Sequence, residues 1–320
     1  MATDIEAESL QILDDVLNAV GPIKELVEIG PVQRDEKGGW VNCPITVTDI
    51  NSVDVDAINK AVQGLATTVK PQVLQGDATI FSGVCPGEES HPAPPPTRPS
   101  ATDYFMGGDA CWIDTSPSDW GTLAFAAHYI RIRDGAGTDI DVNDGCLSAG
   151  HIFGWKSVPG DLLSVPGHAQ ALQFVGALPV AGAARPIDAA LARLNNVAQA
   201  TRGSVRGFPT LTGVATPTIG MWIAKNSAKS GVTAGLDEGP VIIQADGVIF
   251  KGVRRTTPGF ACCHDSGAAV LDRNQNFVGL IFATQNAACN LRPMAYYIPA
   301  RKFGDPVNPL AYDLEIDIKP

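Results

Sequence analysis

The sequence has no apolar run near the roughly 20 residues that a helix needs to cross a bilayer, so no membrane partner is expected. It has no excess of positive charge either: 34 Asp and Glu against 23 Lys and Arg leave a net charge of −11. A field of that sign repels a phosphate backbone, so nucleic acid is not expected as a partner. The N-terminus is acidic (Asp4, Glu6, Glu8) and lacks the apolar core of a secretory leader, which makes a cytoplasmic location the expectation. The five histidines lack His-x3-His spacing, and the seven cysteines (43, 85, 111, 146, 262, 263, 289) form no paired zinc pattern. No glycine-rich phosphate loop lies between a strand and a helix. No metal or other cofactor is therefore expected. An odd cysteine count in an intracellular chain points to mostly free thiols.

Glycine and proline are plentiful, 33 and 24 residues, and favour turns over long helices. Residues 4–28 carry Leu10, Leu13, Val16, Leu17 and Val20 at helical spacing, and Gly21-Pro22 interrupts or ends that helix. A strand is predicted over Trp40–Val47, a second helix over Asp54–Val69 and a strand over Ala78–Val84. Residues 1–85 thus predict a small α/β accessory domain. Residues 86–100 are proline-rich and predict an extended linker. From 101 to 304 the helical period gives way to short apolar stretches between turns, among them Leu123–Ile132, Ile140–Leu147, Leu172–Leu178, Ala189–Leu194, Ile219–Ala224, Val241–Ile249 and Phe277–Ala283. Such a pattern predicts a mainly β domain, an antiparallel sandwich or barrel. The tail, 305–320, predicts an extended arm packed elsewhere.

The strongest local signal is Cys263-His264-Asp265-Ser266-Gly267-Ala268. An Asp-Ser-Gly bend exposes a hydroxyl, and glycine leaves room for a substrate carbonyl and for N–H donors. The same tripeptide also makes ordinary turns, so it carries little alone. A serine nucleophile needs a base, and His151 follows an apolar strand that ends in Ser148-Ala149-Gly150. Asp188 opens the stretch Ala189–Leu194, where a carboxylate can accept from the histidine Nδ1–H and fix its tautomer. His128 reads as a strand histidine, His168 as a loop residue, and His91 lies in the linker.

Here the chain resembles the trypsin/chymotrypsin-like serine proteases, with the look of a bacterial-type intracellular member. Leu147–His151 resembles the family's T-A-A-H segment, Ile187–Leu194 its D-I-A-L-L-x-L and His264–Val270 its G-D-S-G-G-P-V. Lys229–Gly235 is similar to the S-G-x-T-x-G hairpin of bacterial members, and Val278–Phe282 to the strand after the nucleophile. The resemblance spans about 105–304 and implies two six-stranded antiparallel β-barrels with His151, Asp188 and Ser266 in the cleft between them. It also implies an oxyanion hole from the backbone N–H groups of His264 and Ser266. Cys262 and Cys289 fall where many members carry a disulfide, a pair that a reducing cell would keep open.

Three departures matter. The family has glycine where this chain has His264, and a side chain there threatens to turn the N–H from the oxyanion. The imidazole is otherwise a substrate-facing group or a spare one, and a poor general base so close in sequence. Phe260, Met294 and, beside them, Phe282 fall at specificity-pocket positions and imply a shallow or apolar pocket, unless they are core residues. Phe105–Ala110 faintly resembles the N-terminus released on zymogen activation, with Asp265 as its receiver, although no zymogen is expected. The resemblance implies an endopeptidase acting on protein or peptide substrates, with a substrate, a regulatory protein or the cleft itself as the business of residues 1–85. A protease-fold scaffold and an esterase using the same triad are the alternatives.

Overall fold

The computed structural model describes residues 2–23, 25–65, 69–76, 79–80, 104–134, 139–153, 157–178, 187–245, 248–285, 292–302 and 312–317. The linker 86–100, with His91, lies outside the described residues, as do Cys85 and Cys289.

Helix α1 (Ala2–Val20) buries Leu13 and Val16 and stops at Gly21, whose left-handed φ of 66° suits glycine. Strands β1 (Leu26–Ile29) and β2 (Trp40–Val47) pair antiparallel. Helix α2 (Val55–Gln63) is capped by Asp54, whose carboxylate accepts the Ala57 N–H at 2.9 Å. Strand β3 (Lys70–Gln75) lies parallel to β2. Helix α2 is thus shorter than the expected Asp54–Val69, and of the strand predicted over Ala78–Val84 only Thr79–Ile80 lies among the described residues.

The mainly β architecture expected beyond residue 101 is present. Its first sheet contains β4 (Ala110–Ile113), β5 (Ser116–Thr122), β6 (Phe125–Arg133), β7 (Asp139–Ser148), the short helical turn α3 (Gly150–Phe153), β8 (Leu162–Val165), β9 (His168–Ala177) and β10 (Ala190–Leu194). Antiparallel pairing runs β5–β4–β8–β9–β10–β7–β6. The second sheet contains β11 (Trp222–Ser227), β12 (Gly231–Ala245), β13 (Val248–Thr256), β14 (Ala269–Leu271), β15 (Asn276–Gln285) and β16 (Ala295–Lys302). Its pairing closes on itself: β11–β12–β13–β16–β15–β14–β11, antiparallel throughout. Closure leaves no free edge in this barrel. Phe125 of the first sheet meets Phe277 of the second edge-on, ring centroids 5.3 Å apart, in one shared core.

Several expectations change. The stretch Val241–Ile249 is not one strand but the junction of β12 and β13, and residues 246–247 between them lie outside the described set. His168 is not a loop residue: it begins β9, buried edge-on against Phe105. The expected extended C-terminal arm is described over Tyr312–Asp317, where it forms strand β17, antiparallel to β6 and parallel to β16, and ties one sheet to the other.

The N-terminal segment continues into the second barrel. Strand β1 pairs with β12 through Glu28 and Ile243, and Ile242 of β12 belongs to the N-terminal core with Leu13, Val16 and Ile45. Buried charges bind the same seam. Glu28 accepts from Arg255 Nη1 and from the Tyr296 hydroxyl, both at 2.5 Å. Arg254 is held by Asp237 at 2.6 Å and by Glu6 at 2.8 Å. Among the described residues, no helix is long and apolar enough to cross a membrane.

Candidate active site

Strand β7 is exposed and buried by turns in its outer half and wholly buried from Gly145 to Ser148, where it runs into the interior. It delivers His151 to the start of α3. Pairing of Ser148 with Ala190 of β10 sets Asp188 beside it. The Asp188 side chain has no exposed surface. One carboxylate oxygen accepts the His151 backbone N–H at 2.9 Å, and the other accepts from Nδ1 at 2.5 Å. A carboxylate only accepts, so Nδ1 carries the proton and the neutral ring keeps its lone pair on Nε2.

Ser266 sits in a turn held by three backbone bonds: Asp265 N–H to Cys262 O at 3.1 Å, Ala268 N–H to Asp265 O at 3.0 Å and Gly267 N–H to Ile281 O at 2.7 Å. Its hydroxyl donates to the Phe282 carbonyl at 3.2 Å, and its own carbonyl accepts from Thr122 N–H at 2.8 Å. Gly267 has φ 92°, and a Cβ there would lie 2.0 Å from Thr122 O and 2.3 Å from Ser148 Oγ. Glycine is therefore what lets the serine turn press against the ends of β5 and β7. Ser148 Oγ donates to Thr122 O at 2.8 Å, so the bend that carries Ser266 rests on the strand end that carries His151.

Asp265 is fully buried and faces away into the second barrel. Lys225 of β11 pairs with it at 3.1 Å, the Ser227 and Ser230 hydroxyls donate to it at 2.6 Å each, and Cys262 N–H does so at 2.8 Å. Burial pushes this carboxyl up, but the Lys225 ammonium and the three donors outweigh it and hold the group below its usual range. Within Phe105–Ala110, the stretch that resembles a zymogen N-terminus, Asp109 is taken by Arg206 in a bidentate pair at 2.9 Å.

His264 adopts φ 67°, the left-handed region that glycine occupies freely. Its ring stacks on Trp120, with centroids 4.2 Å apart and planes 5° from parallel. Nδ1–H donates to the Trp120 carbonyl at 2.9 Å, and the His264 carbonyl accepts from Thr122 Oγ1 at 3.1 Å.

Of the residues at the expected pocket positions, Phe260 and Phe282 are buried core residues, the alternative left open above. Phe282 packs its ring into the core against Phe250, and its carbonyl accepts from the Ser266 hydroxyl. Phe260 is equally buried, with Lys225 Nζ 5.9 Å from its ring centroid. Met294 is partly buried against the main core. Cys262 and Cys263 are each disulfide-bonded, so Cys262 is not held open as a reducing cell would keep it, whereas Cys43, Cys111 and Cys146 are free and buried. Sequence reasoning missed Lys225, Trp120 and Thr122. A lysine inside the apolar strand Ile223-Ala224-Lys225 was a signal, because a cation there needs a buried partner.

No protein-family model and no curated protein matches the chain. Solved structures of similar form include the Nocardiopsis protease, 18% identical, covering 60% of this chain and 90% of that one with a TM-score of 0.44. Thermobifida fusca protease A is 19% identical, with 65% and 94% covered and a TM-score of 0.45. Cellulomonas bogoriensis chymotrypsin is 18% identical, with 61% and 90% covered and a TM-score of 0.44.

Proposed function

We propose that the chain is a serine endopeptidase working through an acyl-enzyme. The observation that carries this reading is the double engagement of Asp188 by His151, through backbone N–H and Nδ1–H, beside the Ser266 turn. Such an aspartate orients the ring and stabilises the imidazolium once it forms. His151 Nε2 takes the Ser266 proton as Oγ attacks the scissile carbonyl. The His264 and Ser266 N–H groups hold the oxyanion. His151 then gives its proton to the leaving amine, and water, deprotonated by the same nitrogen, releases the acyl group.

Lys225 supports an enzyme that needs no activating cleavage. It gives Asp265 a cation from within the same barrel, the part that a newly released N-terminus would otherwise fill. The test is turnover of casein and short peptides by wild type and by Ser266→Ala. Wild-type cleavage abolished in the variant is the expected result. Equal turnover favours a non-enzymatic scaffold, and hydrolysis of activated esters without peptides favours an esterase.

A further inference from the structure

We propose that Trp120 and the His264 side chain form a clamp between the two sheets that holds the oxyanion-binding peptide in its working orientation; this rests on the catalytic role proposed above. A residue with a Cβ takes φ 67° uncommonly and at a cost that glycine does not carry. At His264 the conformation is over-determined from one side. The ring lies flat on Trp120, Nδ1–H bonds the Trp120 carbonyl, and Thr122 Oγ1 bonds the His264 carbonyl. All three contacts come from β5 of the first sheet, whereas His264 belongs to the turn of the second. Thr122 is itself fixed, its Oγ1 accepting from Ala228 N–H at 3.2 Å and its own N–H bound to the Ser266 carbonyl at 2.8 Å.

With side chain and carbonyl both anchored, the one remaining freedom at His264, the direction of its N–H, is set. That N–H and the Ser266 N–H must converge on one oxygen for either to be useful. Glycine reaches the same backbone shape without help. Histidine reaches it because Trp120 compensates, so the departure from glycine is a substitution of one solution for another and leaves the donor in place. Trp120 is on this account a positioning residue: it acts through His264.

The test compares His264→Ala, His264→Gly and Trp120→Leu, and Trp120→Leu again in the His264→Gly background. Loss of one oxyanion donor lowers kcat by about 10²–10³. His264→Ala is expected to show a loss of that order with KM little changed, and affinity for a peptide aldehyde should fall in parallel. His264→Gly should recover most of kcat. Trp120→Leu should lower kcat beside His264 but add little beside Gly, a coupling that a merely structural tryptophan would not show. His264→Asn, a residue that tolerates the left-handed region, replaces the alanine variant if that one does not fold. Wild-type kcat in His264→Ala, or equal loss from Trp120→Leu in both backgrounds, overturns the clamp while leaving the catalytic reading intact. A wild type that neither cleaves peptides nor reacts with a fluorophosphonate overturns the catalytic reading and the clamp's role together.

Discussion

Lys225 Nζ lies 3.1 Å from Asp265 Oδ2, and neither side chain has any exposed surface. The pair locks the residue next to the nucleophile to a strand of the closed barrel. Breaking such a pair from one side strands a charge and destabilises by about 3–5 kcal/mol. Lys225→Met should lose stability on that scale in urea unfolding and lose Ser266 reactivity with it. Unchanged reactivity in a folded Lys225→Met protein would mean that the pair does not hold the turn.

The same carboxyl sets a pH dependence. Its folded-state pKa is held below the ordinary value, so the unfolded chain takes up the proton first as pH falls. The stabilisation is complete above the unfolded value of about 4 and is lost as pH drops through the folded one. Unfolding free energies measured from pH 6 down to 3 should fall at the acid end in wild type and fall less in Asp265→Asn. Parallel curves would contradict the assignment.

Asp188→Asn keeps the shape of the carboxylate but forces Nδ1 to accept, so the proton moves to Nε2. A loss of about 10⁴ in kcat follows for that change in triads of this kind. Steady-state peptide hydrolysis checks it, and a loss under tenfold would argue against His151 as the base.

The seam between β1 and β12 rests on Glu28, which is almost fully buried and shared by Arg255 and Tyr296. Arg255→Ala should cost about 3–5 kcal/mol by leaving that carboxylate short of its cation. Val41→Ser, at an exposed position of β2, should stay within about 0.5 kcal/mol. Thermal melts of the two variants compare the effects directly, and similar melts would mean that the seam does not support the barrel.

The free thiols supply a further check. Burial pushes Cys43 and Cys111 up to about 12, and Cys146 well above its usual value. Thiolate is the reactive form, so iodoacetamide at pH 8 should leave all three unmodified in the native protein. Cys262 and Cys263 should label only after reduction. Native labelling at Cys146 by mass spectrometry would contradict its burial in β7.

Much of this was legible in the sequence because strands half in water alternate. The span of β7, its approach to His151 and the place of Asp188 at the start of β10 all followed from apolar stretches that end in small residues. What was hidden lay in contacts between distant segments. Trp120 and His264 are 144 positions apart, and nothing local to either announces the stack. Local pattern also ran β12 and β13 together, since both are apolar near their shared end. Phe282 was ambiguous for a related reason: its place in β15 did not say which way its ring turns, and the ring packs on Phe250 while its carbonyl accepts from Ser266.

The most direct test of the central claim is covalent. Folded wild type treated with a fluorophosphonate should gain one adduct, found on the Ser266 peptide by mass spectrometry and absent from Ser266→Ala and much slowed in His151→Ala. No adduct on folded wild type, or an equal rate in His151→Ala, would contradict a nucleophilic Ser266 activated by His151.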